Sequence, residues 1–134
     1  MKEDIERPKV VNVTLAVTRE TNELDAVEWK VHLLNKNPFE LENILITSKG
    51  YGEKEGEKQE TSTLRHFLER LEGESSFMVE PIQPELFHLN NEYWVSYYSE
   101  GKMFDKRFVF LPDSIQDENL YFIDMLNLHG VLHS

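Results

Sequence analysis

Hydrophobic and polar positions along this chain fall into short alternating runs separated by turn-forming residues. The run VVNVTLAVT, from Val10 to Thr18, is rich in β-branched residues and sets Val11, Val13, Leu15 and Val17 on one face. That is the chemistry of a half-buried strand. Arg19 to Ala26 are polar and predict a turn. Alternation then becomes strict, with Val27, Trp29, Val31 and Leu33 set against Glu28, Lys30 and His32, which predicts a second strand with Trp29 in the core. Asn35-Lys36-Asn37-Pro38 is a turn by composition, because Asn tolerates the left-handed region and Pro fixes its own φ. The run LENILITS, Leu41 to Ser48, predicts a third strand closed by Gly50. The following GYGEKEGEKQE has no apolar residue after Tyr51 and predicts a flexible, hairpin-like loop over 53–60.

Residues 61–72 read in two ways. Leu64, Phe67, Leu68 and Leu71 stand at i, i+3, i+4 and i+7, with Ser62 to cap a start and Gly73 to end it, as in an amphipathic helix. In an all-β setting the same stretch makes a strand followed by a tight turn at Glu72-Gly73-Glu74. The strand is the expectation carried forward, since tertiary context overrides local propensity, and a short helix is the alternative. Ser76 to Ile82 predicts a short strand whose flanking Pro81 and Pro84 suit a sheet edge or a strand end.

Asn91 to Tyr98 and Lys102 to Leu111 form the clearest hairpin, turning at Ser99-Glu100-Gly101. Residues 1–8 read as a loose, charged lead-in. Residues 113–134 read as an apolar C-terminal extension docked on the body through Leu120, Phe122, Met125, Leu126, Leu128 and Val131. Seven short strands with turn signals between them predict an all-β, immunoglobulin-like β-sandwich forming a single domain over 1–134.

Charge narrows the partners. With 14 Lys and Arg against 25 Asp and Glu, the net charge is −11. So acidic a chain is not expected to bind nucleic acid or an anionic membrane surface, both held largely by cation–phosphate contacts. The chain has no cysteine, which excludes disulfides, thiolate metal sites and cysteine nucleophiles. No apolar run approaches the roughly 18 residues of a spanning helix. The opening MKEDIE has no apolar signal core, so the expected compartment is the cytoplasm.

Candidate chemistry is sparse. His129 and His133 have the i, i+4 spacing of two ligands on a helix face, but Gly130 between them disfavours a rigid helix. His88 follows Glu85 by three residues and His66 precedes Glu69 by three, ordinary polar-face pairs, so no metal site is expected. Gly50, Gly52 and Gly56 miss the spacing of a phosphate-binding loop, and the flanking glutamates repel phosphate. With no nucleophile elbow and no cleft for a carboxylate pair, neither catalytic residues nor a cofactor is expected.

The strongest non-random feature is the last hairpin, with seven aromatic residues between Tyr93 and Phe110. A two-residue type I′ turn would put Glu100 at positive φ, unfavourable for it. A type I turn with Gly101 in a bulge therefore fits better, pairing Tyr98 with Lys102, Ser96 with Phe104 and Trp94 with Lys106. Trp94, Ser96, Tyr98, Phe104, Phe108 and Phe110 then face the core. Tyr93, Tyr97, Met103 and Arg107 face outward as a candidate binding surface of interface-enriched residue types, unless the C-terminal extension covers them.

The runs VEWKVHLLN, LENILITSKGYG, TSTLRHF and LNNEYWVSYYSEGKMFDKRFVF resemble a family of small uncharacterised bacterial proteins, over about residues 9–132. Members are sometimes labelled phenylalanyl-tRNA synthetase-like by automated transfer. The residues do not support that label, because an aminoacylating core needs a far larger α/β domain and an ATP site. The pair V-x-L-x-N (Val31 to Asn35) and L-x-N-I-x-I (Leu41 to Ile46) also resembles extracellular and linker immunoglobulin-like modules. Neither pattern carries a catalytic motif. The expected function is a non-enzymatic binding or assembly module, joining a homodimer or another protein through the last hairpin. The alternatives are a small-ligand site between the sheet and the C-terminal extension, and an accessory domain of a translation enzyme.

Overall fold

A computed structural model describes residues 8–133. The lead-in expected over 1–8 therefore lies, apart from Pro8, outside the described residues. The strands are β1 (Val13–Thr21), β2 (Val27–Asn35), β3 (Leu41–Lys54), β4 (Glu57–Glu60), β5 (Leu64–Leu71), β6 (Ser75–Pro81), β7 (Asn90–Ser99), β8 (Lys102–Phe110), β9 (Tyr121–Ile123) and β10 (Leu128–His133). Every pairing is antiparallel. One sheet runs β6-β2-β1-β10-β9, and the other centres on β3-β7-β8 with β4 and β5 on successive parts of the free edge of β3. Leu15, Val17, Val31 and Leu33 from the first sheet meet Ile44, Ile46, Val95 and Phe108 from the second in one core cluster. The chain is an all-β sandwich. Among the described residues no helix is long and apolar enough to cross a membrane.

The alternating runs make the strands they predict. Val13, Leu15 and Val17 are buried on β1, and Trp29 packs edge-on against Phe87 at 5.1 Å between ring centroids. β6 is the expected edge strand and ends at Pro81. The ambiguous stretch is strand β5. Its helix-like spacing comes from a bulge: β3 turns through Asn43 (φ 47) and slips one residue against β7. β5 keeps constant register with β3 through that turn, so Leu68 and Leu71, opposite the inward Ile44 and Leu41, stand three apart.

Two expectations change here. The loop over 53–60 is a regular hairpin, in which Lys54 pairs with Glu57 across Glu55-Gly56. The C-terminal segment joins the first sheet, with Val131 opposite Val17. The turn before β10 lays Met125 and Leu126 over Ala16, Leu34 and Ile123 in a small second core.

The last hairpin has the other register. Ser99 pairs with Lys102, Tyr98 with Met103 and Tyr97 with Phe104, across a two-residue turn in which Glu100 (φ 51) and Gly101 (φ 76) are both left-handed. That is the type I′ geometry, whose twist matches the strands it joins. A one-residue change of register turns every side chain of one strand to the opposite face. Tyr93, Val95 and Tyr97 therefore point inward and are buried, while Trp94 and Tyr98 point outward. The physical reason is visible in the middle of β7. The bulged turn would bury the Ser96 hydroxyl where the observed one buries Val95. An unpaired buried hydroxyl costs roughly 1–3 kcal/mol, against about 1–2 kcal/mol for one left-handed non-glycine residue.

Candidate interaction face and polar cleft

Of the four residues expected to face outward, the structure keeps Met103 and Arg107 on the surface and moves Tyr93 and Tyr97 into the core. The ring of Tyr97 stacks on Phe104 with centroids 5.1 Å apart, and burial pushes its hydroxyl pKa up to about 12. Burial, and after it the nearby Glu80 carboxylate, raises Tyr93 well above the usual phenol value. Neither ring is available to a partner.

The outward face of the second sheet is built instead from rows crossing its strands. Phe67, Leu45, Ser96 and Asp105 form one row, and Arg65, Thr47, Trp94 and Arg107 the next. Tyr98 and Met103 lie opposite each other beside them. Phe67 is 63% exposed, Met103 48%, Trp94 45%, Tyr98 42% and Leu45 40%, so each of the four strands β5, β3, β7 and β8 sets at least one large apolar side chain on this face, with Ser96 and Asp105 between them. The charges around it are mixed. Glu92, with only 11% of its side chain exposed, lies between Arg107 Nη1 at 3.4 Å and Lys49 Nζ at 3.8 Å. The C-terminal segment does not cover this face, because it pairs with β1 in the other sheet. Sequence periodicity set Phe67 in the apolar pattern of 61–72 and left Leu45 unmarked, so it placed neither on this surface. The signal that locates Trp94 and Tyr98 is the Val95-for-Ser96 choice of inward residue.

A second cluster lies between the edge strands β5 and β6. The Glu80 carboxylate accepts from Ser48 Oγ at 2.8 Å and lies 2.7 Å from His66 Nε2, both on Oε1, while Tyr93 Oη donates to Oε2 at 3.2 Å. The partner of His66 is thus Glu80 on the facing sheet, not Glu69. Ser48 donates to the carboxylate and not to the imidazole, so the trio lacks the Ser–His contact of a nucleophilic triad. His88 Nε2 contacts Gln59 Oε1 at 2.6 Å, and the ring of His129 packs against Phe122. Among the described residues no group of three or more His, Asp or Glu is placed to hold a metal ion. Compared with known proteins, the chain matches no family model, no curated protein and no solved structure.

Proposed function

We propose that this chain works by binding, as an assembly module that pairs with a second copy of itself through the outward face of β5-β3-β7-β8. The observation that carries the reading is that five large apolar side chains stand open on that one face. Contiguous apolar patches on a soluble surface mark interaction sites more often than isolated residues do. Charge supports a second copy as occupant. Across the face Lys49, Arg65, Arg70 and Arg107 offset Glu42, Glu92 and Asp105, whereas the whole chain carries −11. Two copies brought together here avoid the repulsion that other faces of so acidic a molecule would meet.

Light scattering tests the reading. The mass should rise with concentration from 15.8 kDa toward twice that value. Trp94→Glu should weaken association by ~2 kcal/mol or more, the scale of an interface hot spot, while stability changes by less than about 0.5 kcal/mol. A wild-type chain that stays monomeric at the highest soluble concentration would sink the proposal.

We also infer an immunoglobulin-like arrangement of the seven principal strands. What supports it is that β1, β2 and β6 are neighbours in one sheet and β5, β3, β7 and β8 in the other. The same crossings occur where strands A, B and E of such a sandwich face C, F and G. A crystal structure in which β6 paired with β3 in place of β2 would rule it out.

A further inference from the structure

Between the end of β4 and the start of β5 the chain steps away from the edge of β3. Thr61 holds the step, since its Oγ1 accepts from Gly50 N at 2.7 Å and its own N–H donates to Gly50 O at 2.9 Å. On the facing sheet β6 ends at the same level. The two edges part around a cavity of about 180 Å³, with Leu64, Ile82 and Leu86 among its apolar walls and Glu80 among its polar ones.

Glu80 makes this more than a packing gap. Its side chain is 12% exposed, and among the described residues its one ion-pair partner is His66. A carboxylate offers about four acceptor positions. Among the described residues Ser48 and His66 share Oε1 and Tyr93 alone takes Oε2, which leaves one position on Oε2 unused by them. A carboxylate withdrawn from water without a permanent cation is costly, and a cationic partner offsets that cost. The cavity is too small for a drug-sized ligand, which needs roughly 300 Å³ or more. It is large enough for one charged head on a short aliphatic stem.

We propose that this cleft binds a single ammonium or guanidinium group, held by Glu80 Oε2 with its methylenes lying on Leu64, Ile82 and Leu86. The proposal is independent of pairing through the outward face, where Glu80 plays no part. The test is a titration of the full-length chain, followed by amide chemical shifts, with n-butylammonium, with n-butanol, and with an acetylated, amidated Ala-Lys-Ala peptide. Saturable shifts should appear at Gly50, Thr61 and Ile82 with a millimolar Kd for butylammonium, about 4 kcal/mol of binding free energy. Butanol should produce none at these positions. Glu80→Gln keeps the acceptor oxygen without the charge and should weaken butylammonium at least about tenfold. His66→Asn removes the competing imidazole and should tighten it. Tighter binding of the peptide identifies a protein side chain as the source of the cation, and tighter binding of butylammonium a free amine. Equal shifts with butanol, or no saturable shift with either cation, would overturn the proposal, and both readings use the wild-type chain alone.

Discussion

His32 shows how one side chain can tie the stability of this sandwich to pH. It lies on the outer surface of the first sheet, between Ala16 and Met78, and is 9% exposed. Its Nε2 is 3.0 Å from Thr18 Oγ1, which itself donates to Lys30 O at 3.3 Å. Burial lowers its pKa below the usual 6.5, Glu20 opposes that shift, and Lys30 adds to it. The folded chain thus prefers the neutral ring. Well above pH 6.5 both states leave the ring neutral and it contributes no pH dependence. As pH falls below that value the unfolded chain takes up the proton first, so stability declines until the folded ring protonates too. Urea unfolding should therefore show wild type losing more stability between pH 7 and roughly pH 5 than His32→Gln, which keeps a polar contact to Thr18 but cannot titrate. Parallel profiles for the two proteins would mean that the ring is solvated in the folded state.

At the scale of the element, the turns decide more than the strands do. Glu55-Gly56 and Glu100-Gly101 both close two-residue hairpins with left-handed residues, φ 54 and 79 in the first and 51 and 76 in the second. The strands were legible because each needs only a period-two pattern with β-branched or aromatic residues on the inward face. The turn was not, because intrinsic preference argues against Glu at positive φ. The conflict was settled by β7 burying Val95 and turning the half-buried Ser96 outward, a difference only the packed sheet can weigh. Replacing Glu100 by Asn, the favoured first residue of this turn, should stabilise the fold by about 0.5–1 kcal/mol in chemical denaturation. In the bulged turn residue 100 would be right-handed and the substitution would gain nothing, so an unchanged midpoint would contradict the observed register. The turn between β5 and β6 is fixed differently. A Cβ on Gly73 would stand 2.5 Å from the carbonyl carbon and oxygen of Pro38. Asn35 holds the same corner by donating to Phe39 O and Glu72 O at 2.9 and 3.0 Å. Composition marked Asn35 to Pro38 as a turn, but the buried bonds reach a segment 37 residues away in sequence and leave no local trace.

For the molecule as a whole, the same reasoning separates a firm centre from weakly held margins. β1, β2, β3 and β7 each have neighbours on both sides and supply most of the shared core. β4 pairs with β3 alone through four residues, none of them buried, and β9 is three residues long with only Ile123 buried. The outward face was half legible for the same reason that core and surface were. β8 keeps its inward set, Phe104, Phe108 and Phe110, in either register, so Met103 and Arg107 stay outside, whereas the partner strand depends on the turn. Elements with few buried contacts open locally at a lower free-energy cost than the global transition. Amide exchange should accordingly be fastest over 57–60 among the paired residues and slowest at Val17, Val31, Ile46 and Val95. Limited proteolysis with an acidic-residue-specific enzyme should cut first at Glu55 or Glu57, leaving two fragments that stay associated because β3 and β5 remain paired across the nick. A first cut within β2 or β7, or protection of β4 equal to that of β3, would show that the hairpin tip is held by contacts stronger than the four-residue ladder supplies.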